Sequence, residues 1–468
     1  MPQPAPPRLD EAQTFRLLRL HRRALAFRNA QHEADLLAGV DLAYRDALAA
    51  RCERPLEAGD ARIYYNVSSL CRRRFPNSTD RVVLALKTEL ARLPVQLVPA
   101  AFDGQGWRAA VPASGSEDPA APRMAAAGPP ISPRPGDHFL GAEFDYRLPP
   151  SAYAQLARMK RGGLRISTVV HDLFTVTRPE WFSFPEILAF DQWLQRTGAL
   201  SDRIVCFSQH VARQLRRWFA TAPMQAGALR RQVAVSVADP GSDGLRAEGP
   251  SPQWGASGDA ASFALPDDGV PTFLTIAATH PRKGVDTLVG AFSQLWNQGA
   301  DLRLVLSGRS VDEGLAARIR AHPRAGDRLL FPGFLGDAQL RQVAARAQAL
   351  IVPSREEGFG LPVAEAAALG LPVIARDIPV FREIAGDQPF WFESGRGLQH
   401  TLAARMRDWL ELTDAQRRRH VPTQAEGPWS RTATQLAVIM FGDLDFDRLE
   451  IPMPARPSPA TPAGQSSG

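Results

Sequence analysis

The chain is 468 residues long, too long for one ordinary hydrophobic core, so two or three domains are expected. Its 44% apolar and 22% charged residues are typical of a globular protein, and no apolar stretch reaches the ~18 residues that a membrane-spanning helix needs. The net charge of +6 is diffuse, and no stacking aromatics are interleaved with the arginines, which argues against a nucleic-acid partner. The first residues lack the pattern of a signal peptide, and a cytoplasmic location is therefore expected.

The first half of the chain is predicted to be a helical extension followed by an α/β domain. The extension is predicted over residues 1–60, and within it, in residues 10–50, apolar side chains recur among charged ones at helical spacing. Over residues 61–240, strands and helices alternate, which is typical of a parallel sheet with right-handed crossovers. The predicted strands are residues 63–67, 96–102, 164–170, 203–207 and 232–238, and the predicted helices are 81–93, 184–198 and 208–219. A Pro/Ala/Gly-rich stretch, residues 103–134, is predicted to be a loop.

A second α/β block follows a linker. Residues 241–268 are dense in Gly, Ser, Ala and Pro, a composition that predicts a flexible connection. The strands predicted within residues 269–425 are 272–278, 302–306, 329–331, 349–352 and 372–375. We therefore expect two Rossmann-like domains that face each other across a cleft, with ligands at the carboxyl ends of their strands. Residues 426–450 are predicted to be a helix that packs back on the first domain, and residues 451–468 a disordered tail.

The most informative segment, residues 349–370, predicts a buried strand, a glycine-containing loop and a helix. The helix is predicted to begin with Pro362, because proline favours the first helical position. The backbone N–H groups around Gly360, Leu361 and Val363 are then free at the helix start. Together with the positive end of the helix dipole, they are suited to bind a diphosphate.

Two glutamates in this segment are candidate ligand-binding residues. Glu365 lies one turn into the predicted helix, within reach of the hydroxyls of a ribose, and Glu357 lies on the loop, where it would meet a sugar. Two glutamates at such a spacing also occur by chance, and Glu365 could simply stabilise the helix start by ~0.5 kcal/mol. The Gly358-Phe359-Gly360 sequence between them, with a buried strand before and a proline-initiated helix after, favours the functional interpretation.

This segment resembles the Glu-x7-Glu signature of retaining glycosyltransferases of the GT-B fold, particularly those of family 4. Residues 273–284 resemble that family's strand followed by an Arg-Lys-Gly loop. Residues 304–308 and 330–334 also fall in the family's order. The resemblance is nearly continuous over residues 271–392 and implies the GT-B fold for the chain.

The resemblance implies roles for residues of the second domain. Arg282 and Lys283 would neutralise the diphosphate of a nucleotide-sugar donor, although the sequence alone also fits two exposed surface cations. Glu365 would bind the ribose, and Glu357, a catalytic residue, would hold the transferred sugar. The implied backbone and supporting contacts come from Gly308, Gly358, Phe359, Gly360 and Leu361.

In the first domain, residues 169–174 and 179–182 resemble the His-Asp element of one bacterial branch of the family. The resemblance implies that His171 lies at a strand end and faces the donor sugar across the cleft as a catalytic residue. A histidine satisfied by the nearby backbone is an equally good interpretation. Asp172 would either orient the histidine ring or cap the following turn.

The first loop of this domain departs from the family. Residues 78–81 read Ser-Thr-Asp-Arg, whereas relatives usually carry a glycine after the threonine. Without that glycine the backbone is expected to approach a phosphate less closely, and Asp80 would repel one. The sequence therefore leaves open whether this loop contacts donor or acceptor.

These observations predict an anomer-retaining hexosyltransferase of the mannosyltransferase type. No carboxylate pair with metal-ligand spacing stands out, so neither a metal nor a cofactor is expected, and a nucleoside diphosphate sugar is the predicted donor. The predicted acceptor is a glycan or lipid-linked glycan in bacterial surface polysaccharide or lipopolysaccharide synthesis. Residues 213–231 and 1–60 are candidate contacts to the anionic inner face of the plasma membrane. Two alternatives stay open: another GT-B enzyme, such as a phosphorylase or nucleotide-sugar epimerase, and a nucleotide-binding relative without catalysis.

Overall fold

The computed structural model of the chain describes residues 60–72, 78–112, 124–221, 233–242, 245, 262–395, 397–423 and 427–442. Within these residues the predicted α/β architecture is confirmed: two domains, each built on a largely parallel sheet, face each other across a cleft. The predicted helical extension, apart from residue 60, and the predicted disordered tail lie outside the described residues. Among the described helices, none has the length and apolarity that crossing a bilayer requires.

The first domain is built on a sheet that has seven strands within the described residues. The strands of this domain are β1 (Arg62–Asn66), β2 (Gln96–Phe102), β3 (Trp107–Ala109), β4 (Val111–Pro112), β5 (Met124–Ala125), β6 (His138–Gly141), β7 (Arg165–Val169), β8 (Arg203–Cys206) and β9 (Ala234–Val237). The order across the sheet is β3-β2-β1-β6-β7-β8-β9, and all neighbours are parallel except β2 and β3. The two-residue strands β4 and β5 pair only with each other.

Helices pack on both faces of this sheet. They are α1 (Ser68–Arg72), α2 (Ser78–Leu90), α3 (Pro150–Arg161), α4 (Phe174–Thr177), α5 (Phe184–Leu200) and α6 (Gln209–Thr221), with a 3-10 turn at Pro179–Trp181. Along β1, Ile63 and Tyr65 face one core cluster and Tyr64 faces another, as the alternation of side chains along a strand requires. Burial on both faces explains why the middle of β1, Ile63-Tyr64-Tyr65, carries only large apolar or aromatic side chains.

The structure adds several elements to those predicted in this domain, among them β3, β6 and α3. The prediction of a loop over residues 103–134 is wrong at Trp107–Ala109, where β3 forms the antiparallel edge of the sheet. Both β3 and β6 are too short for a period-two pattern to be visible in the sequence. Helix α3 was missed because Ala152 and Leu156 are its only buried residues, too few to give a helical pattern.

The second domain has a six-stranded parallel sheet within the described residues. Its strands are β10 (Thr272–Ile276), β11 (Arg303–Ser307), β12 (Leu329–Gly333), β13 (Ala347–Val352), β14 (Val373–Arg376) and β15 (Phe390–Phe392). Its helices are α7 (Val285–Asn297), α8 (Glu313–Arg320), α9 (Asp337–Ala344), α10 (Leu361–Ala368), α11 (Pro379–Ala385), α12 (Leu398–Glu411) and α13 (Asp414–Arg418), with a 3-10 turn at Pro281–Lys283. The strand order is β12-β11-β10-β13-β14-β15, so the direction of winding reverses between β10 and β13.

The last described helix, α14 (Trp429–Phe441), returns to the first domain. Its buried side chains, among them Trp429 and Leu436, belong to the same core cluster as Ile63 of β1. Described parts of the predicted linker are held by packing rather than free, since Leu245 and Phe263 join the core of the second domain. The chain therefore passes from the first domain to the second and back again.

Candidate active site

The candidate active site is a cavity of about 310 Å³ in the cleft between the two domains. It lies at the carboxyl ends of β10, β11 and β13, where the winding of the second sheet reverses, the usual place for a ligand in an open α/β sheet. The end of β7 contributes residues from the first domain. The lining brings together the site residues predicted from the sequence: His171, Asp172, Arg282, Lys283, Gly308, Glu357, Gly358, Phe359, Gly360, Leu361 and Glu365.

The Glu357 carboxylate, in the loop after β13, is held by two cations. Arg282 Nη1 lies 3.1 Å from Oε2 of Glu357, and Lys283 Nζ contacts Oε1. The Ser354 hydroxyl also donates to Oε1, at 2.7 Å. Burial alone would raise the pKa of Glu357, but Lys283 and Arg282 together hold it below its usual value. The acid predicted to meet the sugar and the cations predicted to meet the diphosphate thus form one charged cluster.

The loop between β13 and α10 positions backbone groups at the cavity. Gly360 has a left-handed conformation (φ 70°), and α10 begins directly after it at Leu361, one residue earlier than predicted. The N–H of Val363 donates to the Gly360 carbonyl oxygen at 2.9 Å, so the prediction that it is a free donor is wrong. The Phe359 ring packs edge-to-face on Phe207 of the first domain, with ring centroids 5.5 Å apart.

Two glycines in the lining permit close backbone approaches. A Cβ on Gly358 would lie 2.2 Å from the carbonyl oxygen of His171, in the other domain. A Cβ on Gly308, directly after β11, would lie 2.0 Å from the carbonyl oxygen of Ala277. Neither contact is compatible with a side chain. The glycine at 358 allows the two domains to approach closely, and the glycine at 308 allows the ends of β10 and β11 to do so.

His171 follows β7 and is buried. Its Nε2 lies 2.8 Å from the Ala142 carbonyl oxygen, which can only accept, so Nε2 carries the proton. Burial lowers the pKa of His171 to about 4, which keeps the ring neutral near pH 7. Nδ1 is then an acceptor, and within the described part of the chain it has no hydrogen-bond partner. The backbone therefore satisfies one of the two ring nitrogens.

The sequence suggested that Asp172 either orients the His171 ring or caps the following turn, and the structure shows that it caps the turn. Its Oδ1 accepts a hydrogen bond of 3.2 Å from the N–H of Phe174, the first residue of α4. Burial raises the pKa of Asp172 to about 6, although Arg282 opposes this shift.

Arg81 is a lining residue that the sequence did not predict. It belongs to α2 of the first domain, and its guanidinium reaches the second domain, where Nη2 lies 2.7 Å from Asp337 Oδ1 and Nε lies 3.7 Å from Glu365 Oε1. Asp80 is buried and lies outside the lining, so the repulsive acid expected from the first loop does not face the cavity. The Arg81 side chain faces it instead. The signal in the sequence that could have identified Arg81 is a basic residue in the first turn of a helix, next to a loop that departs from the family pattern.

Further contacts join the two domains around the cavity. The Ser208 hydroxyl donates to the carbonyl oxygen of Gly358 at 2.6 Å. The Glu383 carboxylate accepts from the N–H of Gln209, at 2.5 Å, and so caps the start of α6 from the opposite domain. Arg178 Nε donates to Glu356 Oε1 at 2.8 Å.

A second cavity, of about 300 Å³, adjoins the first at Glu357. The basic side chains that line it are Arg178, His210, Arg213, Arg217 and Arg355. Burial, with smaller contributions from the positive charges of Arg213 and Arg217, lowers the pKa of His210 to about 4. Within the described residues, no three His, Cys, Asp or Glu side chains are grouped as metal ligands would be.

Part of the chain is similar to known proteins. Residues 260–425 match the family described as glycosyl transferases group 1. The serotype-specific mannosyltransferase WbdA of Escherichia coli is 34% identical over 279 residues, which cover 59% of this chain and 33% of WbdA. The O-antigen chain mannosyltransferase RfbU of Salmonella typhimurium is 30% identical over 112 residues, which cover 24% of this chain and 31% of RfbU. The matched region thus spans about a third of these relatives.

The sucrose-phosphate synthase of Thermosynechococcus elongatus is similar in structure. The TM-score is 0.52 at 18% sequence identity, and the alignment covers 81% of this chain and 94% of the synthase. At this identity the similarity concerns the fold, which is the two-domain GT-B arrangement predicted from the sequence. The chain is therefore similar to the glycosyl transferases group 1 family over residues 260–425.

Proposed function

We propose that the protein transfers a hexose, with retention of anomeric configuration, from a nucleoside diphosphate sugar to a glycan or lipid-linked glycan. The observation that carries the proposal is one cavity holding the Arg282–Glu357–Lys283 cluster, the ring of His171 and the carboxylate of Glu365. Cations, a sugar-binding acid and a ribose-binding acid are the groups that a nucleotide-sugar requires.

The donor diphosphate is proposed to lie between Arg282, Lys283 and the start of α10. These cations and backbone N–H groups stabilise the negative charge that develops on the leaving diphosphate, without a metal ion. A diphosphate placed there competes with Glu357 for the two cations. The Glu357 carboxylate then turns to the sugar hydroxyls, so that the two cations bind the diphosphate and the acid binds the sugar.

The proposed reaction needs no external acid or base. The acceptor oxygen bonds to the anomeric carbon on the face from which the diphosphate departs, and the bond from that carbon to the phosphate oxygen breaks. The acceptor's proton passes to the leaving diphosphate. A neutral His171 accepts a hydrogen bond from a sugar hydroxyl through Nδ1 and thereby orients the donor sugar.

The second cavity is proposed as the acceptor site, because it meets the first at Glu357. The mannosyltransferase relatives support a mannosyl donor and a setting in bacterial surface polysaccharide synthesis. A cytoplasmic location is part of the proposal. Contact with an anionic membrane surface is part of this proposal, and sedimentation with anionic but not neutral liposomes would support it.

The test of the donor site is calorimetric binding of nucleoside diphosphates and their sugars to the wild type and to Glu365→Ala. Binding of one nucleotide, weakened at least tenfold in the variant, is expected. Folded protein that binds none of the panel would contradict the proposal.

The reaction itself is tested on products. An α-linked donor should give an α-linked product at the same rate with chelator or manganese. An inverted product, dependence on free phosphate, or turnover without an acceptor would each point to a different enzyme class.

A further inference from the structure

We propose that Arg81 of the first domain is a positioning residue that holds the Glu365 carboxylate in place for the ribose, so that the donor site is complete only when the two domains meet. The inference rests on the proposed function, because it takes Glu365 as the ribose ligand. It adds a residue from the opposite domain and a dependence of donor binding on the domain interface.

The contact is nearly free of water. The exposed fractions of the side chains are 6% for Arg81, 7% for Glu365 and 0% for Asp337. Charges shielded from water interact strongly, and removing one of them leaves its partner buried without compensation. In an ion pair at the surface, water weakens the interaction, and a partner left alone there is still solvated.

One guanidinium contacts two helices of the other domain. Asp337 is the first residue of α9 and accepts from Nη2, while Glu365 lies in α10, close to Nε. Arginine can make both contacts at once because its donors form a planar fork. Asp337 therefore fixes the position of the Arg81 guanidinium, and this position places a positive charge next to Glu365.

The electrostatics agree with a positioning role. Burial raises the pKa of Glu365 to about 7, the charge of Arg81 opposes that shift, Asp337 adds to it and Lys283 opposes it. These are the charges that face Glu365 from α2, α9 and the 3-10 turn. An ionised carboxylate can accept from both hydroxyls of a ribose through its two oxygens, whereas a protonated one has lost part of that capacity. Removing the charge of Arg81 while Glu365 stays buried therefore favours the protonated form.

The test is the pH dependence of donor binding between about pH 5.5 and 9. A nucleoside diphosphate sugar serves as the probe, because it has no terminal phosphate that titrates near pH 6. Wild-type affinity is expected to fall as pH drops through about 7, the pKa of Glu365. In Arg81→Gln, the midpoint should move to higher pH, and binding at pH 7.5 should weaken about tenfold.

Two variants make the result specific. Glu383→Gln weakens another contact between the domains, the cap on the start of α6, at a residue that lines neither cavity, and should leave the midpoint where it is. Asp337→Asn keeps an oxygen that can accept from Arg81 but removes a negative charge that raises the pKa of Glu365, and should move the midpoint to lower pH. If Arg81→Gln fails to fold, Arg81→Lys is the test of the arginine, because lysine lacks the planar fork that makes both contacts, and its midpoint should lie at higher pH than that of the wild type.

An Arg81→Gln midpoint equal to that of the wild type, or equal shifts in Arg81→Gln and Glu383→Gln, would overturn the inference while leaving the proposed donor site intact. A wild type that binds no nucleotide sugar would instead overturn the proposed function, and this inference with it.

Discussion

At the scale of single residues, the chemistry of the site depends on how Glu357 shares two cations. In the structure the acid lies between Arg282 and Lys283 and is also fixed by the Ser354 hydroxyl. Its own charge is stabilised, and so are the positions of both cations. A residue in this position influences diphosphate and sugar at the same time, which is a reason to separate the two effects experimentally.

Replacing Glu357 by Gln should separate its effect on diphosphate binding from its effect on the sugar. The amide no longer competes for Arg282 and Lys283, so nucleoside diphosphate is expected to bind at least as tightly as in the wild type. Transfer should fall by about 10²-fold or more, in the range seen when one charge-stabilising group is removed from an active site. Calorimetry and initial rates give the two quantities. Glu411→Gln, at an exposed position on α12, is the control and should change neither.

Gly358 allows a second prediction at this scale. In Gly358→Ala the new methyl group would lie 2.2 Å from the His171 carbonyl oxygen, so the loop and the histidine must move apart. Transfer is expected to fall by about 10²-fold, because small misplacements of reacting groups are costly. Gly395→Ala is the matched control, since its Cβ meets nothing within 4 Å. Equal activity in both variants would show that the Gly358 contact is not required.

At the scale of secondary structure, the sequence predicted those elements whose formation depends on residues close together in the chain. The strand, loop and helix around Glu357 and Glu365 follow from a buried run, glycines and a proline within about twenty residues of sequence. The position of Arg81 could not be predicted in this way. Its partner Asp337 is 256 residues away in the chain, and only the fold brings them together. The same applies to Glu383, which caps a helix of the other domain.

Helix α14 gives a prediction at this scale. Trp429 is buried in the core of the first domain, and Trp429→Ala is expected to lower the free energy of unfolding by about 3–5 kcal/mol, the usual effect of truncating a buried tryptophan. Arg431→Ala, at an exposed position two residues along the same helix, should change it little. Denaturant unfolding followed by tryptophan fluorescence and by circular dichroism would measure both variants. Similar losses in the two would argue against α14 as a structural part of the first domain.

At the scale of the whole molecule, two cavities meet at one carboxylate in a cleft whose walls come from different domains. The donor cavity is lined mainly by the second domain, and the arginine-lined cavity by α6 of the first domain together with loops of the second. This arrangement would let donor and acceptor enter by separate routes and meet at Glu357. It also predicts that the two substrates respond to different substitutions.

The double variant Arg213→Gln/Arg217→Gln is expected to raise the KM for the acceptor about tenfold or more, since a hydrogen bond to a charged group contributes about 1.5–3 kcal/mol. The Kd for the donor should stay within about twofold of the wild-type value, because neither arginine lines the donor cavity. Arg216→Gln is the control on the same helix. Its side chain donates to the Val235 carbonyl oxygen and does not line the acceptor cavity. A loss of donor affinity in the double variant would contradict the separation.

The return of α14 to the first domain also bears on how the chain is synthesised. Most multidomain proteins complete their domains in the order in which the ribosome makes them. Here the first core stays unfinished until residues 429–441 have emerged, by which time the whole of the second domain is available to fold. The second domain is therefore expected to acquire its native contacts earlier than the first. Chains that end at residue 425 and are joined to the ribosome by a spacer long enough to fill the exit tunnel should protect the second domain from protease while the first is still digested.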